Sequence, residues 1–428
     1  MRPARFGLEP SSAVPAPAGL TRTFASLQHG QYRLLWFGML ASYMGMQMNI
    51  VARGYLAFDL AGVAVALGFV SLARGLPQVL FSVFGGVVAD RFDRRKVLIV
   101  TQGATGVVAI INATLTLTDV IQVWHLAAMG LVEGTLFAFN MPARQAIIPE
   151  LVPRRSIANA IALSGSGMNM CRVVGPSLAG AMIGTPFIGV GGVFILVAVM
   201  YGLVVLMLFN LRPTPITRPP EATEDRGVTS GLRYIAARPL LLTLISMAFV
   251  PLLFGMPYQT LLPMFADRVL RVDSFGLGLM YTASGAGALV GTLTIAYLAE
   301  YPRKTQIQLL LGVGFAVALA AFALSNSFPL SLAFLVLVGC MGQGYMSMNS
   351  TLVMLNTDSH MYGRVMSVYM IESALMPLSS LPLSALVDTV GPGPTITTAA
   401  SIILMFMLYV QMFRPEYRRM RTEAVPLS

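Results

Sequence analysis

The chain has 428 residues, 56% of them hydrophobic and only 11% charged, against about 25% charged in soluble domains. Its net charge of +10 would suit a nucleic-acid binder if the cations formed one patch, but they are dispersed between long apolar runs. The two cysteines, Cys171 and Cys340, both fall inside such runs, which excludes a disulfide framework and a metal-ligand spacing.

The first 30 residues are rich in Pro, Ala and Ser and lack the apolar core of a signal peptide, so residues 1–33 are expected to be a disordered cytoplasmic tail. Apolar runs of about 20 residues or more then follow, each long enough to span a bilayer as a helix. There are twelve, at 34–58, 63–89, 97–118, 122–143, 157–184, 188–211, 240–266, 275–299, 305–325, 329–353, 363–388 and 393–413. The polar stretch between spans six and seven holds four prolines, with Pro239 just after it, and mixed charge. It reads as a cytoplasmic linker, residues 212–238, between six-helix bundles at 34–211 and 239–413, with residues 414–428 as a cytoplasmic C-tail. The fold class is an all-α membrane protein of twelve spans in two pseudo-repeats.

Of the 28 Arg and Lys residues, 23 fall in one alternating set of loops and the two tails, two (Arg268 and Arg271) in the opposite loops, and three (Arg53, Arg74, Arg172) inside spans. Cationic loops stay on the cytoplasmic side, so both termini are expected there. The two halves also repeat: Gly68 and Gly278, Gly75 and Gly285, and Asp90 and Glu300 are each 210 residues apart, and Pro176 and Pro382 are 206 apart. A parallel six-span repeat is an architecture in which one half rocks against the other around a central site.

Between spans two and three lies Gly86-Val87-Val88-Ala89-Asp90-Arg91-Phe92-Asp93-Arg94-Arg95-Lys96. Gly86 and Asp90 are one helical turn apart on one face, and Gly86 is expected to let another helix approach closely. This segment resembles the span-two to span-three loop of major facilitator superfamily transporters. Asn140-Met141-Pro142-Ala143-Arg144-Gln145 with Pro149-Glu150-Leu151-Val152-Pro153, then Asn159-Ala160-Ile161-Ala162-Leu163 and Arg172-Val173-Val174-Gly175-Pro176, resemble the enterobactin-exporter-like branch of that superfamily. The resemblance implies a proton-coupled exporter of the inner membrane, with Gly86, Asp90, Arg91, Arg94 and Arg95 as a conformational switch. One departure stands out. Cys171 occupies a glycine position of the span-five motif common in drug antiporters, and Gly180 arrives one residue late behind Ala179.

Ionisable groups inside the membrane mark chemistry, because each costs about 2.5–3.5 kcal/mol on insertion scales. Counted from the outer span ends, Arg74, Glu133 and Arg172 share one depth, with Arg53 nearer the outer end and Asn49 one turn before it. Glu133 is expected to pair with Arg172 or Arg74, either as a purely structural lock or leaving surplus positive charge for an anionic substrate. Arg53 with Asn49 is the expected free pair. Asn49, Arg53, Arg74, Arg172 and Arg144 are thus the cavity candidates. Glu372 has no cation nearby in sequence and is the better proton carrier, with Glu133 the alternative. By the repeat, Asp90 should dock near Gly363 and Arg364, and Glu300 near Ser156 and Asn159.

The 28 methionines serve as plastic apolar filler rather than a metal path. No nucleotide-binding or nucleophile motif is present, so no enzymatic activity and no cofactor are expected. The reading is a secondary transporter that exports an amphipathic, anionic, siderophore-like or drug-like molecule in exchange for protons. Its expected partners are that small molecule, protons and the lipid bilayer, with no nucleic acid, and the chain is expected to act as a monomer. Uptake by symport, lipid or lysophospholipid movement, and a non-transporting sensor are the alternatives.

Overall fold

The computed structural model describes residues 24–153, 156–212, 228–298, 301, 303–358 and 361–418. Among them lie twelve long helices and no strand. They are α1 (Gly30–Ala61), α2 (Ala64–Arg91), α3 (Arg94–Leu117), α4 (Val123–Ile147), α5 (Ile157–Ile183), α6 (Gly189–Phe209), α7 (Pro239–Leu270), α8 (Ser274–Tyr297), α9 (Lys304–Leu324), α10 (Phe328–Leu355), α11 (Tyr362–Val390) and α12 (Pro392–Phe413). Nine of these pass as membrane spans by length and apolar composition alone, among the described residues. Large side chains such as Leu206, Leu293, Leu310 and Met405 point outward and remain exposed, as lipid-facing surface requires.

Packing repeats between the halves. α2 packs on α4 as α8 packs on α10, α3 on α6 as α9 on α12, and α1 on α5 as α7 on α11. Across the halves, α2 meets α11 and α5 meets α8. Glycines permit the closest crossings. A Cβ on Gly134 of α4 would lie 1.9 Å from the Arg74 carbonyl oxygen, and one on Gly339 of α10 would lie 1.9 Å from that of Ser284. Such small-residue contacts hold helices together where lipid supplies no hydrophobic drive.

α7 departs from a single rod. It runs helically over Pro239–Phe254, breaks at 255–257, resumes over Tyr258–Phe265 and ends in a π turn at Ala266–Leu270. Pro251, Pro257 and Pro263 each lack a backbone donor, so the helical ladder cannot continue unbroken.

One expected boundary is corrected, and two expected polar segments carry short helices. The ordered chain begins before residue 34: α1 starts at Gly30, and a turn at Ala25–Gln28 is held through Ser26, whose Oγ donates to Asn159 Oδ1 at 2.6 Å. The linker contains a short helix, Val228–Ala236, that packs on α11. The C-tail begins with a helix, Pro415–Arg418, whose buried Tyr417 donates to the Thr305 carbonyl oxygen at 2.9 Å. Burial pushes the Tyr417 phenol above its ordinary range. At both tails a buried hydroxyl or aromatic side chain, Ser26 or Tyr417, anchors polar sequence that composition alone assigns to a tail. Residues 1–23, 213–227 and 419–428, with Glu300, lie outside the described residues, as do the side chains of Asp90 and Glu372.

Candidate functional site

The end of the molecule that carries the loop after α2 is here the hinge end, and the opposite end is the far end. At the far end the halves are shut along two seams. In one, Gly180 of α5 faces Gly278 of α8, Gly184 faces Ser274, and Ser177 shares a 2.5 Å hydroxyl bond with Thr282. The seam continues to mid-depth, where a Cβ on Gly285 would lie 2.9 Å from the Arg172 carbonyl oxygen. In the other, Gly68 of α2 lies against Leu381 and Ser384 of α11. Beyond it the Asp388 carboxylate accepts from the backbone N–H groups of Ala64 and Val65, both at 2.8 Å, neutralising the positive start of α2. Arg268 closes the same end by donating to the Gly62 carbonyl oxygen. Gly68 and Gly278 are the glycines that the 210-residue repeat pairs, and each sits in one of the two seams between the halves.

Among the described residues the hinge end is not shut in this way. A Cβ on Gly86 would meet nothing within 4 Å, which corrects the expectation of a close helix approach there. Its neighbour Gly85 is the packed residue, 2.1 Å from the Ala138 carbonyl oxygen by the same measure. Arg94 pairs with Glu150, and Arg95 donates to the carbonyl oxygens of Leu208 at 2.8 Å and Phe209 at 2.6 Å. Both arginines therefore clamp helix ends within the first half. Arg91 is exposed at the end of α2. The start of α5, reserved by the repeat for Glu300, is held by Ser26 on Asn159 and on the Ser156 carbonyl oxygen.

Between the closed far end and the hinge end lies a cavity of about 740 Å³. It reaches Met354 and Met366 near the hinge end. Its first-half wall carries Asn49, Arg53, Arg74, Glu133 and Arg172, and its second-half wall carries neutral Gln259, Thr260, Tyr281, Ser284 and Gln343. Met46, Met256 and Met346 supply deformable apolar surface. The break in α7 brings Met256, Tyr258 and Gln259 to this wall. The Tyr281 hydroxyl donates to the Gln259 carbonyl oxygen at 2.8 Å, meeting part of the demand that the irregular backbone creates.

Charge pairing differs from the expected one. Glu133, only 6% exposed, is ion-paired with Arg53, and Asn49 donates to both of its oxygens at 3.1 and 3.0 Å. Arg74 stands farther off, its Nε 4.0 Å from Glu133. Its side chain is 27% exposed and lies 5.7 Å from the Phe137 ring centre. Arg53 and Asn49 are therefore the locked pair and not the free one. Arg172 makes no ion pair among the described residues; its Nη1 donates to Gln343 Oε1 at 3.1 Å.

Arg144 is also corrected. It does not line the main cavity and is not in a loop, because α4 continues to Ile147. It is buried, donates to Ser42 Oγ at 2.9 Å and stacks over Tyr43 at 4.7 Å. A polar pocket of about 30 Å³ connects it with Glu133, Asn49, Gln102, Asn140 and Tyr201. Glu372 belongs to α11 between Tyr369 and Ser380, two residues that line the main cavity. Sequence reasoning missed Gln343, Gln259 and Tyr281, since neutral polar residues in apolar helices are common. The proline and glycine spacing in α7 was the available signal for Gln259.

Comparison with known proteins agrees with this architecture. The family pattern of the transmembrane secretion effectors, within the major facilitator superfamily, matches residues 21–425. The staphyloferrin A transporter of Staphylococcus aureus is 26% identical over 333 residues, covering 77% of this chain and 82% of that protein. The enterobactin exporter EntS of Shigella flexneri is 27% identical over 351 residues, covering 78% and 82%. Among solved structures, a point variant of the nucleoside transporter NupG superposes with a TM-score of 0.69 at 15% identity, covering 90% of this chain and all of that one. A bacterial homologue of the human lysosomal transporter Spinster, captured inward-facing and unoccupied, gives 0.66 at 16% identity, covering 90% and 96%.

Proposed function

The chain belongs to the transmembrane secretion effectors of the major facilitator superfamily, multi-pass membrane transporters of small molecules rather than enzymes, and we propose that it exports an amphipathic, anionic molecule in exchange for protons. The observation that carries this reading is the charge balance of the cavity. Glu133 is taken up by Arg53 and Asn49, so Arg74 and Arg172 face the same space with no carboxylate of their own among the described residues. A positively lined cleft with low-dielectric walls concentrates anions and repels cations. The methionines and Phe137 beside it suit the apolar body of such a molecule.

In this reading the substrate resembles a siderophore or an acidic drug, and the named cargoes of the relatives support that class. Glu372 carries the proton, because Glu133 is committed to two donors. The cationic loops support a cytoplasmic hinge end, and the reading takes the chain to act as a monomer in the inner membrane of a bacterium. In this reading the open hinge end corresponds to an inward-facing state, and closure of that end brings the start of α11 against Gly86 and Asp90.

Inverted membrane vesicles with an acidic interior provide the test. They should accumulate the anionic dye 8-anilinonaphthalene-1-sulfonate more than vesicles lacking the protein, and collapse of the pH gradient should release it. Accumulation of lipophilic cations with exclusion of the sulfonate would overturn the anionic reading. Dye entry only when the interior is alkaline would reverse the direction to symport.

A further inference from the structure

Arg172 is set apart from the other membrane cations by where its bond to Gln343 goes. It belongs to α5 in the first half, and Gln343, which accepts from it at 3.1 Å, belongs to α10 in the second half. The bond crosses the cavity wall at the inner edge of the α5–α8 seam, where the Arg172 backbone touches Gly285. Arg53 and Arg74 both approach Glu133 within the first half, so neither makes such a bridge.

The acceptor is also chemically weak for a guanidinium. Bonds from a guanidinium to an ionised acceptor are roughly twice as strong as neutral ones, and a carboxylate or sulfonate accepts two of them in parallel. An amide presents a single oxygen, which has two lone pairs but no net charge and cannot match the guanidinium fork with two parallel acceptors. α5 runs from the hinge end to the far end, and helical side chains lean toward their own N-terminus. The Arg172 side chain is thereby directed down into the open cavity and away from the closed seam.

We propose that Arg172 is the receptor for the acid group of the substrate and that Gln343 is its placeholder, displaced when the substrate binds. The proposal rests on the anionic reading of the cavity and adds to it a specificity-determining residue and a coupling step. In the empty carrier the Arg172–Gln343 bond ties the halves together beside the closed seam. An arriving anion takes the guanidinium, Gln343 is released, and that tie between α5 and α10 is lost. Release of the anion at the other face restores it. Substrate occupancy thus changes the connection between the halves, as any ligand that shifts a conformational equilibrium must do.

The test uses the purified full chain with two fluorescent probes of one shape, anionic 8-anilinonaphthalene-1-sulfonate and neutral N-phenyl-1-naphthylamine. Gln343→Glu places a competing carboxylate on Arg172 and should weaken the sulfonate by about tenfold or more, leaving the neutral probe unchanged. Gln343→Ala removes the competitor and should tighten the sulfonate at least about twofold, again without change in the neutral probe. Either variant alone decides, so failure of one to fold leaves the test intact. Unchanged sulfonate binding in Gln343→Glu, or unchanged or weakened binding in Gln343→Ala, overturns the assignment. Wild-type protein that does not favour the sulfonate over its neutral analogue overturns instead the anionic reading beneath it.

Discussion

Replacing Gly180 with alanine should open the far end without unfolding the protein. A Cβ there would lie 2.6 Å from both Gly278 Cα and the Ser274 carbonyl oxygen. Carbon contacts are comfortable at about 3.5–4.0 Å, so α5 and α8 must part by about 1 Å at this point. Overfilling a packed contact costs about 1–3 kcal/mol. The added methyl is harmless once the seam opens, and alanine's better helix propensity acts equally in both states. The whole penalty therefore falls on the closed seam and shifts the equilibrium toward far-end opening by about 5- to 150-fold. Nitroxide labels at Phe187 and Leu324, both exposed beyond the far-end tips of the two halves, would read this as a growing population at longer distance. Cys171 and Cys340 would first be replaced by alanine in all samples. Gly202→Ala, at a position with nothing within 4 Å of the new methyl, should leave the distances unchanged. A distance distribution in Gly180→Ala identical to that of Gly202→Ala would show that the α5–α8 seam does not hold the gate.

Other expectations follow from the same geometry. Arg53→Ala strands a buried carboxylate and should destabilise the first half by about 3–5 kcal/mol, measured as a lower unfolding temperature and largely rescued by adding Glu133→Gln. If Arg74→Ala lowers the unfolding temperature as much, the assignment of Arg53 as the principal partner fails. Asp388→Asn keeps an acceptor but loses the charge that holds the Ala64 and Val65 N–H groups. It should raise far-end opening with the same label pair, and an unchanged distribution would mean that the glycine contacts suffice.

Much of the architecture was legible because its causes are local. A run of apolar residues has few options in a bilayer, and all twelve expected spans overlap a long helix. The repeat spacing that pairs Gly68 with Gly278 was legible too, since both positions need a residue without a side chain where one half crosses the other. The hinge motif was readable as sequence, but Gly86 marks a contact this state does not make. Arg144 was misplaced because the expected span stopped at residue 143. α4 continues through Pro142 for another turn, since a proline need not end a membrane helix when neighbours satisfy the freed carbonyl.

The pairing of Glu133 required information that counting depth along spans discards, namely the direction in which each helix runs. Side chains in a helix lean toward its N-terminus. α1 runs from the hinge end to the far end, so Arg53, with its Cα nearer the far end, reaches back toward mid-membrane. α4 runs the opposite way, so Glu133 leans toward the far end and meets it. Arg74, on α2, runs parallel to Glu133 and leans the same way, so the two side chains do not converge and stay 4.0 Å apart. α5 runs with α1, so Arg172 leans toward the hinge end, away from Glu133 and toward the second half. Helix polarity, fixed once the spans alternate across the membrane, therefore separates Arg53, the partner of Glu133, from Arg172, the cation that reaches toward the second half.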